Sequence, residues 1–337
     1  MNDRSGSGAG IQIASGQPTF STRLPGQFNS TQPKVAILLC TYHGQQYLTE
    51  QLESFAAQSY ASWVVWASDD GSQDETRAIL ERYQLCWGKD RISIHSGPED
   101  GFIANFLSLT CNADIQADFY AYSDQDDIWE PDKLQRAMDW MRTVSDGAPV
   151  LYCSRTRLVD KNNSDIGFSP LFRRPPGFAN ALIQSLAGGN TMVFNDLTRR
   201  LLCVAGDQVD VVSHDWWVYM AVTGCGGKIY YDTRPSVRYR QHGSNVIGIN
   251  SGWPARVKRL LMLLQGRFRS WNDRNIRALE QLRPHFTAEN LAILDRFISA
   301  RDSWLVPRLR GLKQSGIYRQ TLMGNLGLIA AAFFGKL

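Results

Sequence analysis

The sequence predicts an α/β fold with a mainly parallel central sheet flanked by helices. Short apolar runs of strand length alternate with segments whose apolar residues recur every three or four positions. The first runs are apolar at nearly every residue, as strands covered on both faces must be. With 43% hydrophobic and 20% charged residues among 337, the chain also has the means to build a sizeable core.

Residues 1 to about 33 are rich in Gly, Ser, Gln, Thr and Pro without a hydrophobic period, and are expected to be a disordered leader. Order begins at Val35-Ala36-Ile37-Leu38-Leu39-Cys40, the first strand. Tyr47, Leu48, Leu52, Phe55 and Ala56 then follow helical spacing. Trp63 to Ala67 is a second strand ending in Ser68-Asp69-Asp70-Gly71-Ser72. Ser72, with Glu75 three residues on, predicts a capped helix through Ala78, Ile79 and Leu80. Arg91 to His95 reads as a strand, Ala104 to Leu109 as the core of a helix, and Phe119 to Ser123 as a strand ending in Asp124-Gln125-Asp126-Asp127. Pro131 suits the first turn of a helix through Leu134, Ala137, Met138 and Met141. From about Val150 to Gln241 the pattern is more broken, with short strands and a helix near Asp215 to Val222. After Trp253 it is helical. The chain thus divides into a leader (1–33), an α/β body (34–250) and a basic helical extension (251–337).

Charge is unevenly spread. From Ser251 onward there are 15 Lys/Arg against 5 Asp/Glu, so the overall +4 conceals a net acidic body. The six cysteines are scattered singly, with neither metal-site nor disulfide spacing, which favours a reducing, cytoplasmic compartment. No secretory signal opens the chain and no apolar segment approaches the roughly 20 residues that span a bilayer. The nearest, Leu322 to Phe334, is interrupted by Gly324, Asn325 and Gly327; it is too short to cross but able to lie on a surface.

In open α/β sheets ligands bind beyond the carboxyl ends of the strands. Asp69 and Asp70 follow one strand there; Asp124, Asp126 and Asp127 follow another. Carboxylates gathered at one rim repel unless a cation or hydrogen-bond donors offset them. A hard divalent ion, Mg²⁺ or Mn²⁺, fits, because such ions take one or two carboxylates plus substrate phosphates. Each cluster alone also reads as an ordinary turn or helix cap. Their appearance after successive strands is what favours a site.

Several segments, in order, resemble the inverting family 2 glycosyltransferases with a GT-A fold. They are Cys40-Thr41-Tyr42-His43 (His43 standing where Asn is commoner), Ser68-Asp69-Asp70-Gly71-Ser72, Gly97-Pro98 with Gly101-Phe102 and Asn105-Phe106, and Ser123-Asp124-Gln125-Asp126-Asp127-Ile128-Trp129 with Pro131-Asp132-Lys133-Leu134. Gly188-Gly189-Asn190-Thr191, His214-Asp215-Trp216-Trp217 and Tyr239-Arg240-Gln241-His242-Gly243 complete the set, which spans about Val35 to Gly248. The wording of the later motifs is similar to a branch that includes bacterial rhamnosyltransferases of cell-surface polysaccharide synthesis, implying dTDP-L-rhamnose as donor. No residue distinguishes thymine from uracil, so a UDP-sugar stays open.

The resemblance implies roles. Asp69 and Asp70 bind nucleobase and ribose beside the Thr41–Tyr42 backbone; Asn105 lies near the nucleotide; Asp124 contacts ribose or sugar. Asp126 is the direct metal ligand, and His242 completes the metal site from a distant loop. Asp127 either adjoins that site or caps the segment leading to Trp129. Asp215 is the catalytic base that takes the acceptor's proton, with Trp216 and Trp217 as a partly dry wall; the bland alternative is a helix cap. His214 orients Asp215. Gly188 and Gly189 permit close backbone approach to the sugar, or simply a turn.

In the tail, Arg259, Arg267, Arg269, Arg274 and Arg277 interleave with Leu260, Leu261, Leu263 and Phe268. Basic amphipathic helices lie on anionic lipid. A lipid-linked saccharide acceptor at the inner face of the plasma membrane would then be within reach. Nucleic acid is disfavoured by the acidic body. The rival readings are a nucleotidyltransferase, against which the absence of a glycine-rich basic phosphate loop counts, and a non-catalytic carbohydrate-binding module, against which intact Asp126 and Asp215 count.

Overall fold

The computed structural model describes residues 31–144, 147–242 and 267–337. The leader through residue 30, Gly243, and Arg259, Leu260, Leu261 and Leu263 lie outside the described residues.

Strands β1 (Val35–Thr41), β2 (Trp63–Asp69), β3 (Ile92–Ser96) and β4 (Phe119–Ser123) pair in parallel in the order β3-β2-β1-β4. Every residue of β1 is buried, and the reason is its place in the middle of two cores. Ala36, Leu38 and Cys40 enter one apolar cluster; Val35, Ile37 and Leu39 enter the other. Helices α1 (Leu48–Ala56), α2 (Thr76–Trp87) and α3 (Gly101–Cys111) connect these strands, giving the expected α/β alternation.

Beyond β4 the sheet becomes mixed. After β5 (Ile128–Trp129) and α4 (Lys133–Met141) come β6 (Val150–Val159), β7 (Asp165–Phe168), the short helix α5 (Phe178–Ala181), β8 (Val193–Asn195), α6 (Asp196–Val204), α7 (His214–Gly224) and β9 (Lys228–Arg240). The sheet continues β4-β8-β6-β9-β5, with β8 antiparallel to β4 and β6, and β9 parallel to β6 but antiparallel to β5. The longest ladders are parallel.

Among the described residues four C-terminal helices follow: α8 (Arg267–Leu282), α9 (Ala288–Asp302), α10 (Leu305–Gln314) and α11 (Leu322–Phe333). Leu279, Leu282, Leu294 and Phe297 join Trp216, Trp217 and Val218 in one cluster, so α8 and α9 are packed onto α7 rather than solvated all round. Much of their basic charge is matched. Arg274 and Arg277 both reach Asp210, Arg301 pairs with Asp273, Arg283 with Glu280 and Asp295, and Arg269 with Asp302. Of the arginines that the sequence offered to a lipid surface, Arg269, Arg274 and Arg277 are therefore occupied within the fold. Among the described residues no helix is long and apolar enough to cross a membrane.

One local expectation fails for an identifiable reason. Ser72 does not cap α2; its hydroxyl donates to Asp69 Oδ1 at 2.6 Å, and the helix starts only at Thr76. The cysteines are all free thiols, and Cys111 at the end of α3 lies beside Cys203 of α6.

Candidate active site

Register explains why the acidic groups meet. Thr41 pairs with Asp69 across β1 and β2, Leu39 with Ser123 across β1 and β4, so Asp69, Asp70 and Asp124 emerge at one rim over adjacent strands. Asp69 accepts from Thr41 Oγ1 at 2.9 Å and from the Ser72 hydroxyl, which fixes its carboxylate against the end of β1. Asp70 accepts from the backbone N–H of Glu99 at 2.7 Å and of Gly101 at 3.0 Å. Glu99 supplies its N–H from a left-handed backbone, φ 57°. Gly97 allows this turn to close: a Cβ there would lie 2.7 Å from Asp70 Oδ1 and 3.0 Å from Asn105 Oδ1. Asn105 is buried rather than on a helix surface; its amide donates to Ser68 O at 3.1 Å, and its Oδ1 has no hydrogen-bond partner among the described residues. Asn105 thus shapes the Asp69–Asp70 turn from behind.

Tyr42 is exposed, at the mouth of this rim. Its backbone makes a reciprocal amide pair with Gln125: Tyr42 N–H donates to Gln125 Oε1 and Gln125 Nε2 donates to Tyr42 O, each at 2.8 Å. The middle residue of the acidic triplet therefore ties that loop to the first strand end. His43 adopts φ 50°, a left-handed conformation that Asn and His tolerate better than most residues, which accounts for either at this position.

Asp126 Oδ2 and His242 Nε2 lie 2.8 Å apart, although 116 residues separate them in sequence. The antiparallel pairing of β5 with β9, Ile128 opposite Arg238, brings the two loops together. Arg240 completes the join. Its backbone N–H donates to Asp127 Oδ1 at 3.1 Å, its Nε to Asp126 O at 3.0 Å, and its Nη2 to Glu50 Oε2 at 2.8 Å, while the guanidinium covers the Tyr47 ring. Asp127 is wholly buried and also accepts from the Asn190 amide. It is an internal anchor of the loop. Burial, then the charges of Asp126 and Asp124, push its carboxyl well up.

Asp124 reports how close the carboxylates come. Its carboxyl is pushed up to about 7 by burial, then by the negative charges of Asp126 and of Asp215. Asp215 sits in the first turn of α7, one residue past the helix boundary at Ser213 and His214, so it is not the cap. Its Oδ1 accepts from Ser213 Oγ at 2.5 Å and from Trp216 N–H at 2.6 Å. Trp216 and Trp217 are buried in the core behind α7, with Trp216 Nε1 donating to Ala181 O. His214 makes no bond to Asp215. It stacks on Phe106 with centroids 3.9 Å apart and meets Tyr122 edge-on, and neither ring nitrogen has a hydrogen-bond partner among the described residues. Gly189, in a 3₁₀ turn from Gly189 to Thr191, has no room for a side chain because the His214 ring fills the position of its Cβ.

Comparison with known proteins decides the family. The glycosyl transferase family 2 model matches residues 36–199. The dTDP-rhamnosyl transferase RfbG of Shigella flexneri is 30% identical over 230 residues, covering 66% of this chain and 78% of that protein. The chain belongs to glycosyl transferase family 2. An uncharacterized glycosyltransferase of Rickettsia typhi is 21% identical over 223 residues, 64% of this chain and 66% of that one. The solved structure of S. aureus TarS 1–349 with UDP-GlcNAc superposes with a TM-score of 0.49 at 13% identity, covering 85% of this chain and 93% of that one.

In this glycosyltransferase, Asp215 and His242 lie beyond the matched segment, and the fold returns both to its rim. Sequence reading missed the residues that hold the site together: Gln125, Asn190, Gly97 and Arg240 as a clamp, and Lys133, wholly buried, donating to Asn190 O at 2.9 Å. Each was inside a quoted motif, but the partner that gives it a role is far away in sequence. A cavity of about 660 Å³ lies elsewhere, at the opposite rim beside Lys34, Asp118 and Asn195, and takes no part in this arrangement.

Proposed function

We propose that this chain transfers L-rhamnose from dTDP-L-rhamnose, with inversion, to a hydroxyl of a growing, lipid-linked surface polysaccharide. The observation that carries the reading is the Asp126–His242 pair held beside the Asp69–Asp70 turn, with Asp215 close enough to raise Asp124. Likeness to a dTDP-rhamnosyl transferase supports the choice of donor.

The donor set fits a divalent cation. Among the described residues no three His, Cys, Asp or Glu side chains form a ligand group, so Asp126 and His242 supply two donors and the diphosphate would supply others. Mg²⁺ or Mn²⁺ bound there would stabilise the departing nucleoside diphosphate. The protein's own part is positioning. Asp69 and Asp70, locked by Thr41, Ser72 and the Glu99 and Gly101 amides, receive the nucleoside. Gln125 and Arg240 fix the loop that carries Asp124 and Asp126. Asp215 uses Oδ1 to hold its place, which leaves Oδ2 for the acceptor hydroxyl's proton. Six free thiols fit action in a reducing compartment, at the inner face of the plasma membrane.

A thermal-shift panel of dTDP-rhamnose, UDP-sugars and GDP-sugars, with and without Mn²⁺, tests this. dTDP-rhamnose is expected to protect only with metal, and an Asp126→Asn variant to lose both protection and turnover. Protection by another sugar nucleotide in its place would overturn the donor, and metal-dependent binding that survives in Asp126→Asn would move the metal elsewhere.

A further inference from the structure

We propose that α10 and α11 form a docking surface for an anionic lipid bilayer. On α11 the side chains of Leu322, Leu326, Ile329 and Phe333 are all exposed, Leu322 by 73% and Ile329 by 60%. Their spacing of four, three and four residues puts them in one stripe along the helix. Ala331 and Ala332, on other sides of the same helix, are buried. The helix is thus seated on the protein by its small residues and turns its large ones outward. This inverts the usual arrangement of a surface helix, and a contiguous apolar stripe of this kind marks an interaction face.

Charge identifies the occupant. Between Ser303 and Leu337 there is no Asp or Glu, while Arg308, Arg310, Lys313, Arg319 and Lys336 are all present. On α10, Val306, Leu309, Arg310 and Lys313 are exposed and follow the i, i+3, i+4, i+7 spacing of one face. Apolar and cationic side chains mixed on one face, next to a wholly apolar stripe, match a monolayer with acidic headgroups. A second copy of this chain is the poorer fit, because a two-fold contact brings each face against itself and sets like charges together. At 12 residues α11 is about 18 Å long, so it lies in the interface and does not cross a hydrocarbon core of about 30 Å.

The surface is also coupled to the site. Gln320, just before α11, accepts a bond from Arg174 N–H and donates to Arg174 O, and its N–H donates to Gln184 Oε1; Asn180 Nδ2 donates to Tyr318 O. The segment so gripped, 174–184, leads directly into the Gly188–Asn190 turn at the rim of the site. A helix pair lying on lipid would therefore hold that turn near the membrane.

Flotation of the full chain with vesicles, read without any nucleotide, tests the proposal independently of the sugar transferred. Wild type should float with vesicles of phosphatidylglycerol and phosphatidylethanolamine and stay behind with phosphatidylcholine alone. Leu326→Glu/Ile329→Glu should lower the bound fraction at least tenfold. Arg310→Glu/Lys313→Glu, which leaves the apolar stripe intact, should abolish the preference for phosphatidylglycerol. All four side chains are exposed, so unchanged melting temperatures are expected and are measured alongside. Wild type that ignores both vesicles, or variants that float as wild type does, would overturn the proposal. So would a wild-type dimer, seen by light scattering, that the stripe variant dissociates while neither form binds vesicles.

Discussion

His214 makes the stability of this glycosyltransferase depend on pH in a way that can be isolated. The imidazole is buried between Phe106, Tyr122 and Gly189 with neither nitrogen hydrogen-bonded among the described residues, so protonation would place an unsolvated cation in an apolar pocket. Burial accordingly pushes its pKa down to about 4 from 6.5, against the opposing Asp215 charge. Between those values the unfolded chain binds a proton that the folded chain refuses, so this contribution to stability is complete above pH 6.5 and is lost as pH falls toward 4. The linkage relation gives a loss of about 2 kcal/mol at pH 5 and about 3 kcal/mol at pH 4. Urea unfolding of wild type and His214→Gln at pH 8 and pH 5 measures it. Glutamine does not titrate. Its absolute stability is expected to be lower, but the gap between the two proteins should narrow by about 2 kcal/mol from pH 8 to pH 5. The carboxylates elsewhere titrate in both proteins and cancel in the difference. A gap that stays constant with pH would show that the imidazole is solvated or paired, and would refute the packing argument for Gly189 as well.

Two further outcomes follow from the same geometry. Asp215→Asn keeps the bonds from Ser213 and from the Trp216 amide available to its Oδ1 but cannot take a proton. Turnover should fall by about 10² to 10⁴ while dTDP binding, measured by calorimetry, is unchanged. Gly189→Ala drives a methyl group into the His214 ring and should cost about 1–3 kcal/mol in thermal or urea unfolding. A variant as stable as wild type would mean that the ring has room to retreat.

What was legible in the sequence is what depends on neighbours in the chain. β1 and β2 announced themselves because a strand with cores on both faces has no polar side to show, and Asp69, Asp70 and Asp124 were placed by the rule that strand ends face the ligand. The errors arose where a residue's partner is remote. Ser72 has the right spacing for a helix cap, but the Asp69 carboxylate, two hydrogen bonds strong, competes for it and wins. His214 adjoins Asp215 in sequence, yet helical geometry points its ring into the pocket made by α3 and β4. Of the tail arginines read as a lipid face, Arg274 and Arg277 meet Asp210 and Arg269 meets Asp302, partners remote in the chain.

Asp127 shows most clearly why the acidic loop could not be apportioned from its letters. Three aspartates in four residues look equivalent, and their mutual repulsion would splay them toward solvent. The fold breaks the symmetry. Asp127 turns inward, where the Asn190 amide and the Arg240 N–H bond it. Lys133, buried over the Trp129 ring, supplies positive charge from the same side, although burial weakens its hold on its own proton. An ionisable pair buried this way adds little net stability compared with apolar side chains, since desolvation offsets much of the attraction. Its effect is positional: Asp127 is anchored behind the loop and Gln125 is fastened to Tyr42 in front, while Asp126 meets His242 and Asp124 feels the charge of Asp215.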